Sequence, residues 1–448
     1  PYELYAALRD DDPVQYSELL CGWVVTRHDD VVALLRDPTV SSSVHSATPT
    51  PVTEIELQRL AEQPRAGRTV VMMDDPDHAR TRRLMATPFR ASEIEALRGR
   101  VHERMHAALD VLAERGRTVG GPSTRGAAVP VDFDLVEDFA YPLPVEIFSE
   151  MLGVPAEDGP KFRHWTQCVA RSVDPVLPDD ERDECLAGLD EMCAYLADQA
   201  ELKRAHPADD LMSHLVHAEI DGERLNDLDL MSQLVTLYMA GHEPTSVLIG
   251  NGTLALTRHP DQLESLRSDR SLMRNAIAEL LRYDGPNQFT RRITTRPTTL
   301  SGVELPAGAV VYAGLASANR DPRFWGDDSE VVRVARPDAS KHLQFGAGAH
   351  ACLGSHLARL QAEVAFDAIL DATTETYRRE ILGKIPDGTY VWEDYAEHDG
   401  VDEPRLHTQR ITLTKVSTGG PGPGDGGPKI VIDFTGTGPQ AKGPINHC

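Results

Sequence analysis

From Leu135 to Arg282, apolar residues recur at three- and four-residue spacing, the pattern of helices with one buried stripe. The same spacing predicts helices over 2–10 (Tyr2, Leu4, Tyr5, Leu8), over His28–Arg36, from Asp77 to about Ala86, and from a Ser92 cap to about Arg115. Asp227 opens a long helix ending near His259–Pro260. Ser271 caps another, which Asp284-Gly285-Pro286 stops, and a last one runs from Cys352 to about Leu370. Short alternating runs predict strands at Val14–Ser17, Trp23–Arg27, Arg291–Thr295 and Val310–Ala313, with turns at Ser301–Gly302 and Pro306-Ala307-Gly308. Residues 38–70, Gly116–Pro130 and the stretch from Asn319 to about Gly348 lack periodicity and read as loops.

The pattern changes after Asp371. Thr389–Tyr395, His407–Lys415 and Lys429–Phe434 alternate as strands, and the linker Ser417–Pro428 is nearly all Gly, Pro, Ser, Thr and Asp. The fold class is therefore mainly α with small β-sheets over 1–372, followed by a β-rich segment over 373–448. The chain begins at Pro1 inside a helical pattern and stops at Cys448 after a strand-and-loop pattern, so both ends read as cut.

Composition narrows the function. The 448 residues carry a net charge of -25, which repels phosphate backbones and argues against nucleic-acid binding. Six cysteines are scattered without the spacing of a disulfide framework or a zinc site, which predicts a reducing cytoplasm. The most apolar stretch, Leu228 to Leu256, is interrupted by Gln233, His242, Glu243 and Asn251, so it reads as a buried helix rather than a membrane span. A monomer is expected.

The segment Phe345-Gly-Ala-Gly-Ala-His350-Ala-Cys352-Leu-Gly354 carries the chemistry. Gly346 and Gly348 permit a tight turn and close approach to a flat ligand. Cys352, set where a helix begins, is expected to ionise more readily because unpaired amides and the helix dipole favour a thiolate. A lone buried structural cysteine is the commoner fate of such a residue, but the surrounding ten-residue pattern argues against it. This segment resembles the cytochrome P-450 superfamily, the haem-thiolate monooxygenases, and especially its soluble bacterial branch. The resemblance implies the fold of that superfamily, haem b (iron protoporphyrin IX) as cofactor and Cys352 as its iron ligand, with a thiolate that favours O–O cleavage.

Other segments match the same superfamily in order. Glu279-Leu-Leu-Arg282 resembles its Glu-x-x-Arg helix, which implies a structural network of Glu279, Arg282 and Arg336 behind the haem. His78, Arg82, Arg292 and His350 match positions that hold the haem propionates. Val71, Leu237, Ala240, Gly241, Gln288 and Phe289 match the walls of the substrate pocket and imply a small, mostly apolar substrate. In Ala240-Gly241-His242-Glu243-Pro244-Thr245, Glu243 matches the acid of the oxygen-activating pair, but Pro244 stands at the usual threonine position. Proline removes an amide donor and bends a helix. Thr245 then either takes over the catalytic hydroxyl's role or bonds back to the helix backbone.

Ile385-Pro-Asp-Gly-Thr-Tyr-Val-Trp-Glu-Asp-Tyr395, the run from Ile430 to Gln440 and Gly443-Pro-Ile-Asn446 resemble a fragment of the hydantoinase B/oxoprolinase family. This fragment is too small to carry that family's active site. Electrons must come from outside, and the resemblance implies a ferredoxin with its reductase. Arg80, Arg83, Arg90 and Arg359 either dock it or form a solvated face. Three functions stay open: a monooxygenase using O2 and a small organic substrate, a haem-binding protein without turnover, and a hydantoinase-type hydrolase subunit.

Overall fold

The computed structural model describes residues 1–62, 68–119, 133–172, 178–376, 388–396, 407–416 and 429–433. It divides into two units, Pro1–Leu112 with Phe133–Ala368, and Ala113–Asp132 with Ile369–Cys448. The expected loop Ser417–Pro428 and much of Gly116–Pro130 lie outside the described residues.

The first unit is mainly helical around a small sheet. Strands β1 (Val14–Ser17), β2 (Gly22–Val25), β3 (Val40–Ser41), β4 (Phe289–Thr294) and β7 (Val310–Gly314) form a five-stranded sheet in the order β1-β2-β7-β4-β3. β2 and β7 run parallel, with Val25 opposite Ala313, and β4 lies antiparallel to β7, with Arg292 opposite Val311. Val25, Val31, Leu34, Val311 and Ala313 bury one face of this sheet against the His28–Arg36 helix. β5 (Thr298–Leu300) and β6 (Val303–Leu305) pair through the predicted Ser301–Gly302 turn. Ser301 and Gly302 have φ of 44° and 83°, the left-handed pair that a tight hairpin requires.

The Asp227–Arg258 helix forms the spine, 32 residues long. Its cap is Asn226 rather than Asp227, because the Asn226 side chain accepts from the Asp229 amide. Gly241 lets it lie against the Pro142–Leu152 helix: a Cβ there would stand 2.3 Å from the Phe148 ring. Tyr238, fully buried, shares a 2.8 Å hydrogen bond with Ser149 in the same seam.

Several expectations are corrected. Residues 38–70 contain the Pro51–Glu62 helix, whose mixed composition hid it. The helix expected from Ser92 is two, Ala91–Ala96 and Arg98–Val119. Asp269, not Ser271, caps the turn before the Met273–Asp284 helix. The final helix spans Ser355–Thr376, so it starts after Cys352 and ends beyond Leu370.

In the second unit, β8 (Gly388–Ala396), β9 (His407–Val416) and β10 (Lys429–Asp433) form an antiparallel sheet in the order β10-β9-β8. These are the three alternating runs of the tail, because alternation is a local signal that needs no distant partner to be seen. Among the described residues no helix is long and apolar enough to cross a membrane.

Candidate functional site

The Cys352 loop is closed by its own backbone, with the Cys352 amide donating to the Phe345 carbonyl at 2.8 Å. Gly346 and Gly348 both have positive φ, 66° and 71°. At Gly348 the close approach is to the chain rather than to a ligand: a Cβ would meet the Leu35 carbonyl oxygen at 2.3 Å. Solvent reaches Cys352, yet enough protein surrounds its thiol to push the pKa up by burial. The Gly354 amide, Arg82 and Arg359 pull the thiol back down, and burial outweighs them. The expected easy ionisation at a helix start is not found: the first helical residue, Ser355, is three positions beyond Cys352, and burial sets the direction of the shift. A further cationic partner at the sulfur would favour the thiolate.

Basic groups converge on this loop. The His78 and His350 rings lie 4.0 Å apart, and Arg82 Nη2 donates to the Ala351 carbonyl at 2.6 Å. Arg292, on β4, is buried and repels a charge on His350. Burial lowers the pKa of Arg82 and Arg292. It also pushes His350 down to about 4, with His78, Arg292 and Arg82 adding repulsion and Asp74 opposing. Asp74 is already engaged, accepting from the Ser42 amide at 2.8 Å and the Ser41 hydroxyl at 2.5 Å. His78 Nε2 is buried with no partner. Two guanidinium groups and two imidazoles, with Asp74 and Asp75 as their nearby acids and one ring nitrogen orphaned, fit an anionic ligand bearing acceptor oxygens. The two carboxylates of a haem beside an accessible thiol meet that description.

In the middle of the spine helix Ala240 and Glu243 are exposed, and Pro244 is half-buried. Thr245 is 3% exposed. One residue along a helix is a turn of about 100°, which carries Thr245 away from the open strip. Ser246, not Thr245, bonds back to the helix, donating to the His242 carbonyl at 3.0 Å. Val71 is 53% exposed and Leu237 is buried. Gly241 faces Phe148, and Gln288 accepts from the Tyr5 hydroxyl at 3.1 Å, while Phe289 meets the Tyr5 ring edge-on. Gly241 is thus a helix-packing residue, and Gln288 and Phe289 are held by the N-terminal helix.

Glu279 and Arg282 are fully buried and paired by two bonds of 2.7 and 2.8 Å. Arg336 Nε donates to both Glu279 oxygens at 3.0 and 3.1 Å, and the Arg333 amide adds a third donor at 2.9 Å. Arg282 also donates to the carbonyls of Asn319, Ser329 and Val331. Arg336 reaches Asp328 Oδ1 at 2.8 Å, and Arg336 and Arg333 together hold the Asp328 carboxyl down at about 2. A folded pKa below the unfolded value of about 3.9 means stability that is present above pH 4 and lost as pH falls towards 2. The gap in stability between the native chain and Asp328→Asn is expected to stand at pH 5 and close by about pH 2. Because Asp328 is 36% exposed the gap is modest; a gap that does not change with pH, in urea unfolding series, would refute the assignment.

The expected docking cations are mostly committed elsewhere. Arg80 pairs with Glu223 at 2.7 Å and Asp77 at 3.4 Å, and Arg83 lies 3.9 Å from Asp221. Arg359 is half-buried, with its guanidinium 4.5 Å over the Phe345 ring, and acts on Cys352. Arg90 is exposed. Sequence reasoning missed Asp74 and the role of Arg359 beside the thiol. It noted Gln233 only as a polar break in an apolar run, which was the available signal.

Comparison with known proteins follows the same line. The family profile described as Cytochrome P450 matches residues 23–374, and that described as Hydantoinase B/oxoprolinase matches residues 351–448. Vitamin D(3) 25-hydroxylase of Pseudonocardia autotrophica is 38% identical over 370 residues, covering 82% of this chain and 84% of that protein. Cytochrome P450 monooxygenase PikC of Streptomyces venezuelae is 37% identical over 397 residues, covering 88% and 87%. The solved structure of the Bacillus subtilis 168 bacillaene polyketide synthase cytochrome P450 PksS superposes with a TM-score of 0.73 at 31% identity, covering 84% of this chain and 89% of that one.

Proposed function

The chain belongs to the cytochrome P450 family, and from that premise we propose that Cys352 ligates the iron of its haem b while His78, Arg82, Arg292 and His350 hold the propionates. The family is that of haem-thiolate monooxygenases, which put one oxygen atom from O2 into a small organic substrate. The observation that carries the assignment is the accessible Cys352 thiol with His78, Arg82, Arg292 and His350 gathered about its loop. When bound, the haem supplies the site at which O2 is activated. Glu279, Arg282 and Arg336 are assigned a folding role.

Proton delivery is assigned to the Glu243 carboxylate working with water rather than to Thr245. Pro244 has no N–H to give the Ala240 carbonyl, so that oxygen is left to hold a water on the exposed strip beside Glu243. Glu243→Gln is expected to cut product formation by about 10²-fold, the usual scale for a lost proton-transfer group. Pro244→Thr should change the share of NAD(P)H consumption that yields product. If Glu243→Gln is as active as the parent, the relay lies elsewhere.

The substrate is proposed to be small and mostly apolar, on the strength of exposed Val71 and Ala240. A ferredoxin with its reductase is proposed as the electron source. Arg83 and Arg90 are the candidate contacts, Arg359 being half-buried under Phe345. Arg83→Glu with Arg90→Glu is expected to slow ferredoxin-driven reduction several-fold at low salt and little at high salt. Equal slowing at both salt levels would remove these residues from the docking face. A cytoplasmic location is proposed from Cys21, Cys168 and Cys185, which are not in disulfides. No activity is assigned to the hydantoinase B-like tail.

A further inference from the structure

We propose that Asp229 and Gln233 are positioning residues, clipping residues 68–72 to the spine helix so that the 68–78 segment straps the mouth of the haem site and Val71 and Met72 select what enters. The selection rests on the haem reading above; the clip itself does not.

Gln233 is wholly buried in an apolar helix, where a leucine would pack without any polar group to satisfy. Its amide is spent on the strap: Oε1 accepts from the Val70 amide at 2.8 Å, and Nε2 donates to the Arg68 carbonyl at 2.7 Å. One turn earlier Asp229 accepts from the Arg68 amide at 2.9 Å and is itself held by Asn226 Nδ2 at 2.9 Å. Three backbone groups at and just before the start of the short 3-10 turn Val70–Met72 are therefore paired by side chains of a single helix face. Ala240 lies seven residues beyond Gln233, which is about two turns and 10 Å along the same face. The other end of the segment is also tied. Asp74 is anchored on Ser41 and Ser42, and His78 packs against His350, two residues from Cys352. Between the two anchors, Val71 and Met72 are 53% and 36% exposed, apolar side chains with little cover. A chord fixed at both ends, with its greasy residues uncovered, is a selectivity element for apolar ligands.

The test uses the full haem-loaded chain, with Gln233→Leu and Asp229→Ala as loosening variants and Asp229→Asn as rescue, since asparagine keeps an acceptor for the Arg68 amide. Amide hydrogen exchange at Val70–Met72 should rise at least about tenfold in Gln233→Leu, the scale of two lost hydrogen bonds, while the Glu279–Arg282 turn is unaffected. Asp229→Ala should show a smaller rise, reversed by asparagine. Release of clotrimazole, a bulky apolar azole, read from the Soret shift, should speed by roughly tenfold, with imidazole binding changed less than about twofold. Unaltered exchange at Val70 overturns the clip, with or without haem. Faster exchange with both azoles affected alike overturns the selection. Should the parent fail to form a thiolate-type haem complex, the function reading falls, and the exchange data still decide the clip.

Discussion

Glu279→Ala is expected to lower the stability of the haem domain by about 3–5 kcal/mol, because it strands two buried guanidinium groups. Arg282 and Arg336 share that one carboxylate, and both are buried. The loss is large against the roughly 5–15 kcal/mol that holds a typical domain together. Urea unfolding at constant slope measures it, and Glu279→Gln, which keeps the shape and an acceptor, should recover part of the loss. A decrease of less than about 1 kcal/mol for the alanine variant would mean that the backbone carbonyls around Arg282 suffice without the acid.

The second large effect concerns Cys352→Ala. The native chain, reduced and exposed to carbon monoxide, is expected to give the red-shifted Soret band of a thiolate-bound haem, and the variant to lose it together with all oxygenation. His78, Arg82, Arg292 and His350, the proposed propionate partners, are untouched by this change, so the variant should still take up haem, more weakly. Burial raises the free thiol's pKa, which means that iron binding must itself displace the proton. Haem uptake by the native chain should therefore release a proton, which weakly buffered titration detects. An unchanged band in the alanine variant would place the iron ligand elsewhere.

The local parts of this molecule were readable from residue order. The His28–Arg36 helix was predicted to the residue, and the strands of the tail to within two. Amphipathic spacing and strand alternation are set by neighbours a few positions apart, so they survive without knowledge of the fold. Where a cap is made by one residue instead of its neighbour, as with Asn226 and Asp269, side-chain geometry decides and spacing does not. The Pro51–Glu62 helix was missed because a Ser/Thr/Pro-rich flank masks its periodicity.

The ten residues around Cys352 were sufficient to point to the family and its haem b, because the segment's pattern is local in the chain. Long-range facts were of another kind. That His78 meets His350, that Arg359 leaves the surface to stack on Phe345, that Thr245 turns inward, and that Gln233 grips a distant loop all depend on which elements pack together. Burial, pairing and orientation are properties of contacts between remote segments, and a linear pattern records none of them until the chain has folded.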